Sequence, residues 1–225
     1  MQARLLLVRF RNQHAEEEIA MMFFDVRIDD VLFWMDAIRN SKDRDRVLES
    51  FWKGQVQSKI WLIEQLKLLP RDTNSAYKIA IYGGWNGVLA NLFYNSGIGM
   101  RHITSIDIDP DCEEVASTMN KKHEMRGSFC AVTADMCEYT VEDADLVVNT
   151  SCEHITQAQY DQWLSNQPKD AVIILQSNNF FDCEEHIRCA GSLEEFVEQS
   201  QLKVIKADTL ELPKYDRYMI IGYKQ

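Results

Sequence analysis

The chain has 225 residues, enough for a full apolar core, and its 46% apolar content is ordinary for a globular protein. Lys and Arg number 24 against 35 Asp and Glu, a formal charge of −11 that repels a phosphate backbone and argues against duplex DNA or structured RNA as a substrate. With no apolar run of membrane length, no signal-peptide pattern and no C-x-x-C spacing among its cysteines, the chain is expected in a reducing cytoplasm, its thiols acting as small apolar residues.

In chain order, residues 4–10 are a short apolar stretch of undefined type. Val31, Leu32, Phe33, Trp34 and Met35, with Ala37 and Ile38, predict a helix. Val47, Leu48, Phe51, Trp52, Val56, Ile60, Ile63 and Leu66 then recur at helical spacing, which predicts one long amphipathic helix ending before Pro70. Its apolar stripe must cover something, either the side of a sheet or a second copy in a homodimer. The basic groups at Lys42, Arg44 and Arg46 and at Lys121 and Lys122 are interleaved with or flanked by acids and read as solvated helix faces. Residues 71–76 are polar and read as a linker.

The run Lys78, Ile79, Ala80, Ile81, Tyr82 breaks into Gly83, Gly84, Trp85, Asn86 and Gly87, and a helix-like segment follows at 88–93. A second apolar run, 103–107, ends in Asp107. Strand, glycine turn, helix and a strand closing on a carboxylate make a nucleotide-ribose binding unit. The glycines let the backbone approach a ligand, and the carboxylate accepts hydrogen bonds from ribose hydroxyls. Trp85 stands where a dinucleotide fingerprint wants a glycine and crowds a pyrophosphate, which argues against NAD or FAD; no Gly-Lys-Ser/Thr follows, which excludes a Walker loop. Asp107 has an alternative as a helix cap, but Asp109 and Pro110 already supply cap and first turn.

Residues 128–136 predict a third strand running to Asp135 and Met136, and 144–149 a fourth ending at Asn149. Thr156 and Gln159 match a capping box before a helix holding Tyr160, Trp163 and Leu164. Residues 171–176 predict a fifth strand. Ser192 and Glu195 form a second capping box before Phe196 and Val197. Residues 204–212 and 217–223 are two strands joined by a turn containing Pro213. Strands alternating with helices imply a mostly parallel sheet covered on both faces.

With these elements in line, residues 77–225 resemble the class I S-adenosylmethionine-dependent methyltransferases. The resemblance implies an α/β fold: a doubly wound, mostly parallel seven-stranded sheet with helices on both faces, its last strand antiparallel, preceded by a helical segment at 1–70 over the cofactor cleft. It implies S-adenosylmethionine as cofactor, with Tyr82, Gly83, Gly84, Trp85 and Asn86 under its methionine part. Asp107, with Ile108 beside it, would hold the ribose, and Asp135 and Met136 would flank the adenine. Asn149 and the segment to His154 would face the methyl group. Glu153, His154 and Ile155 resemble the Glu-His-Leu of many small-molecule methyltransferases. Two positions depart from the pattern. Ile81 stands where the first strand usually carries an acid, and Trp85 replaces the second loop glycine, suggesting an indole packed on the cofactor or capping the site.

His154 offers an imidazole as general base for an amine or hydroxyl acceptor; the alternative is a histidine that fixes its loop through a backbone hydrogen bond. Asn149 either contacts a ligand or satisfies a local turn, and Asp135 either reads adenine or simply ends a strand. Asn178, Asn179, Phe180, Phe181, Glu184, Glu185 and His186 form a polar-aromatic loop that is a substrate-pocket candidate. Cys183, His186 and Cys189 are too irregularly spaced to argue for zinc, and no metal is expected. Arg217 pairs with a substrate carboxylate or a structural acid. The function expected is methyl transfer to a small molecule or protein side chain. The alternatives are a non-catalytic cofactor-binding subunit and an aminocarboxypropyl transferase using the same cofactor.

Overall fold

The computed structural model describes residues 25–69 and 76–225; the apolar stretch at 4–10 and most of the polar linker lie outside the described residues. Seven strands form: β1 (Tyr77–Tyr82), β2 (Met100–Asp107), β3 (Phe129–Thr133), β4 (Leu146–Asn149), β5 (Val172–Asn178), β6 (Leu202–Glu211) and β7 (Asp216–Lys224). They make one sheet in the order β3-β2-β1-β4-β5-β7-β6. Pairing is parallel from β3 through β5, while β7 is antiparallel to both β5 and β6. The helices are α1 (Ile28–Asn40), α2 (Arg44–Glu49), α3 (Lys53–Lys67), α4 (Val88–Tyr94), α5 (Pro110–Met119), α6 (Lys121–Glu124), α7 (Gln157–Asn166) and α8 (Leu193–Ser200). No helix among the described residues is long and apolar enough to cross a membrane.

Side-chain alternation along the strands sends successive residues to opposite faces, and each face has its own helical cover. Ile79 and Ile81 of β1, Ile174 of β5 and Met219 and Ile221 of β7 join one cluster, with α1, α3, α4 and α5. Ala80 and Tyr82, Ile173 and Leu175, and Ile220 join the other, with Tyr160 and Trp163 of α7 and Phe196 of α8. The Thr156 capping box forms with both reciprocal bonds. At Ser192 only the cap itself is made, because Glu195 turns its carboxylate to the Gly191 N–H instead.

Two expected element boundaries are corrected. The long amino-terminal helix is two helices: Trp52 adopts an extended backbone (φ −60°, ψ 145°) as the cap of α3. The Ser50 hydroxyl bonds the Val47 carbonyl at 2.6 Å, and Phe51 packs on Trp34 of α1 at 5.6 Å. Apolar spacing resumes in phase after the break, so periodicity alone does not show it. The third strand stops at Thr133, which leaves Asp135 and Met136 in the following loop.

Ile63 of α3 is fully buried in the same cluster as Ile79 and Ile81 of β1. Ile63→Ala is therefore expected to lower the free energy of unfolding by about 2–5 kcal/mol. Denaturant unfolding should remain one transition; an early separate transition would show that the amino-terminal helices are not part of the cooperative unit.

Candidate functional site

β1 has β2 on one side and β4 on the other, so the chain leaves its carboxyl end in opposite directions. Such a switch point opens a crevice at the carboxyl edge of the sheet. The turn after β1 is built by close backbone approach. Gly83 and Gly87 have φ of 64° and 77°. A Cβ on Gly83 would lie 2.2 Å from Ser151 Oγ, and one on Gly84 would lie 2.0 Å from Ser105 Oγ. The glycines thus seat the turn against β2 and the segment after β4.

Trp85 also has a positive φ, 46°, which costs a non-glycine residue roughly 1–2 kcal/mol. Its N–H donates to Asp107 Oδ2 at 2.8 Å, and the Asp109 N–H donates to Oδ1 at 3.1 Å. A carboxylate offers about four lone-pair sites, so among the described residues each oxygen keeps one acceptor position free. Trp85 and Asp107 line a narrow recess with Ser105, Cys112, Glu113 and Ala131.

The other expected cofactor residues are placed as follows. Tyr82 is fully buried in the sheet core, its ring edge-on to Trp163 and its hydroxyl on the Tyr139 carbonyl at 3.2 Å. Any cofactor contact from it comes from the backbone. Asn86 is buried and turns toward α2, its Nδ2 3.5 Å from the Arg46 carbonyl. Ile108 is 70% exposed beside Asp107. Asp135 Oδ1 accepts the Cys137 N–H at 2.8 Å, closing a local turn. Asn149 is fully buried; its Oδ1 accepts the Ser151 N–H at 3.0 Å, and its Nδ2 lies 3.6 Å from Met136 Sδ. Asp107 and Trp85 are thereby brought together, as are Asn149 and Met136. His154 is exposed, with Nδ1 3.2 Å from the Glu185 carbonyl.

A buried polar cluster lies at the same edge, where Arg217 meets a structural acid, one of its two expected partners; that the acid is Glu153 is not evident from the sequence. Glu153 is 3% exposed and Arg217 6%. Arg217 Nη1 donates to Glu153 Oε1 at 2.5 Å, and Nη2 to the Thr150 carbonyl at 2.5 Å. Asn178 Nδ2 donates to the same Oε1 at 2.7 Å. Lys59 of α3 is also buried, bonded to Gln55 Oε1 at 3.0 Å. Burial, with the charge of Arg217 adding, pushes its amine down to about 7. One signal was available: Lys59 falls at helical spacing between Val56 and Ile63, on the apolar stripe. All six cysteines are free, and burial pushes the Cys112 and Cys152 thiols up to about 12.

No protein-family model matches the sequence, and neither does any curated protein. Solved structures match in fold. The pyocyanin biosynthetic protein PhzM is 17% identical, with a TM-score of 0.59 over 85% of this chain and 62% of that one. Magnesium protoporphyrin IX methyltransferase, ChlM, from Synechocystis PCC 6803, solved with bound SAH, is 12% identical, with a TM-score of 0.59 over 87% of this chain and 94% of that one. MtNAS in complex with MTA and tNA is 15% identical, with a TM-score of 0.58 over 87% and 70%. The chain spans about three fifths of the length of PhzM. Its fold is that of the class I S-adenosylmethionine-dependent methyltransferases.

Lys59 sets a pH dependence. Its folded pKa lies below the value of an exposed lysine, so the unfolded chain binds the extra proton above pH 7 and stability rises with pH there. Urea unfolding of the wild type should therefore show stability increasing between about pH 7 and 7.5, before unfolded thiols, with an ordinary value near 8.5, begin to ionise appreciably and oppose it. Lys59→Met should flatten that rise; an unchanged slope would place the titration elsewhere.

Proposed function

We propose that this chain is a methyltransferase that uses S-adenosylmethionine and acts on a small molecule or a protein side chain. The observation that carries the reading is Asp107: a carboxylate at the carboxyl edge of the switch point, fixed by two backbone N–H groups and keeping one acceptor position on each oxygen. That pair of positions suits the two hydroxyls of a ribose. The turn at residues 83–87 would underlie the methionine part of the cofactor, and Asp135, with one oxygen outside its local turn, would meet the adenine amine. Trp85 would close the ribose side.

S-adenosylmethionine supplies an electrophilic methyl group on a sulfonium, which leaves as a neutral thioether. The chain's part is to orient an acceptor, exclude water and take the acceptor's proton. Asn149 and the segment to His154 would face the methyl group, with His154 receiving the proton. The polar-aromatic loop after β5 would line the acceptor pocket.

The helical segment at 1–70 would cover the cleft of the domain at 77–225. In support, Arg46 of α2 pairs with Asp109 at 2.5 Å, next to the Asp107 turn. Leu32, Met35, Leu48 and Trp52 stay exposed on these helices and would supply the alternative, a homodimer surface. The acidic charge argues against nucleic acid as substrate, and the free cysteines support a cytoplasmic setting.

A second reading, transfer of the aminocarboxypropyl group, is favoured by the likeness to MtNAS and its MTA complex. A third, a cofactor-binding subunit without turnover, is favoured by Ile81 and by the confined recess beside Trp85.

Calorimetry with S-adenosylmethionine and its demethylated product should show both binding. Losing hydrogen bonds to a charged acceptor at about 1.5–3 kcal/mol each, Asp107→Ala should bind at least about tenfold more weakly. Binding of neither ligand to the wild type, or no change in Asp107→Ala, would remove the reading. Mass analysis of an acceptor product then separates a methyl increment from the larger one.

A further inference from the structure

We propose that Glu153, His154 and His186 form a binding site for a single divalent transition-metal cation of the zinc type. A carboxylate oxygen of Glu153 and one ring nitrogen from each histidine lie within 4.8 Å of one another. This departs from the expectation of no metal, and it uses a different set from the Cys183, His186, Cys189 group.

Four features prepare these residues as ligands. First, each histidine has its Nδ1 on a backbone carbonyl: His154 on Glu185 at 3.2 Å and His186 on Phe180 at 2.9 Å. A carbonyl accepts only, so each Nδ1 carries the proton and each Nε2 keeps a lone pair, the arrangement typical of metal-bound imidazole. Second, Glu153 is buried, and its Oε2 has no hydrogen-bond partner among the described residues. A carboxylate oxygen out of water and unpartnered is costly; a cation would satisfy it. Third, Oε1 is held by Arg217 and Asn178, so the carboxylate is oriented by its neighbours as metal-bound carboxylates are. Fourth, the exposed Asp182, Glu184 and Glu185 add negative charge to the loop that carries His186.

Tetrahedral zinc at 2.0–2.2 Å from each ligand needs ligand atoms roughly 3.4 Å apart. Binding would draw the ligand atoms together from the observed spread, with His154 exposed and His186 half-buried. Two histidines and one carboxylate fill three positions and leave at least one open, the ligand set of catalytic rather than structural zinc. The open position lies by the segment after β4, and an oxygen-bearing acceptor such as a hydroxyl or carboxylate fits it. Acceptor binding there rests on the methyltransferase reading and, with Nε2 on the metal, replaces His154 as the group that receives the acceptor's proton; cation binding does not rest on that reading.

The test is calorimetric titration of the chelator-stripped full chain with zinc chloride, with circular dichroism as a check on folding. One zinc per chain is expected. His154→Ala and His186→Ala should each weaken binding by at least about tenfold, the loss typical of even outer-shell changes. Zinc should raise the melting temperature of the wild type and not of the His154→Ala/His186→Ala pair. Cys183→Ser should change nothing. No saturable binding, binding indifferent to both histidines, or binding lost in Cys183→Ser would each overturn the site. If zinc fails while S-adenosylmethionine binds, only the metal falls. If zinc binds and S-adenosylmethionine does not, the metal site stands and the methyltransferase reading goes.

Discussion

Burying Glu153 with Arg217 constrains the whole edge of the sheet around them. Each charge taken from water costs several kcal/mol, and mutual attraction offsets this only if the remaining donors and acceptors are met. Here that demand reaches into every neighbouring element. Arg217 opens β7, Asn178 closes β5, and Glu153 and Thr150 follow β4. The main-chain carbonyl of Glu153 also accepts the N–H groups of Ile187 and Arg188, at 2.8 and 3.0 Å. One ion pair therefore pins three strand ends and the loop after β5 to each other. Removing either partner leaves an uncompensated buried charge, so the segment after β4 cannot swing away cheaply.

Among the described residues, the other half of the crevice is shaped without buried charge pairs. On the β1–β2 side the controlling term is steric: Gly83 and Gly84 have serine hydroxyls where a Cβ would go. The strained φ of Trp85 is held by its hydrogen bond to Asp107, and the same carboxylate orders the start of α5 through Asp109. Asp107 thus has a structural role that does not exhaust it, because two backbone donors occupy only half of its acceptor capacity.

These two kinds of construction explain what the sequence disclosed. The β1 turn was legible because its requirements fall on residue type and local spacing: glycines, then an acid about twenty residues on. Apolar runs alternating with helical segments pointed to a sheet covered on both faces, and β1, β5 and β7 each send side chains into both clusters. The break between α2 and α3 was hidden because the apolar stripe continues in phase across it. Asp135 was read as a strand end because the run from 128 is apolar, yet its own side chain closes a turn on Cys137. The Glu153–Arg217 pair spans 64 residues of chain, and no local pattern announces a contact of that separation. From the sequence Arg217 needs an acid, substrate or structural, that local spacing does not name, and Lys59 sits on an apolar stripe that it interrupts.

Stability does not account for keeping such a cluster. A well-packed apolar set of the same volume is often neutral or stabilising by about 1–4 kcal/mol relative to a buried ion pair. This one is also incompletely resolved on its own terms. Burial, with the charge of Arg217 adding and that of Glu153 opposing, pushes the Lys59 amine down to about 7. Among the described residues, Glu153 Oε2 has no partner on the acceptor side and Arg217 Nε none on the donor side. Polar groups with perturbed proton affinity gathered at the open edge of a parallel sheet mark where chemistry is done. The unmet valences of Glu153 and the half-used carboxylate of Asp107 lie on opposite sides of β1, β4 supplying one and β2 the other. A ligand laid across the switch point would meet both.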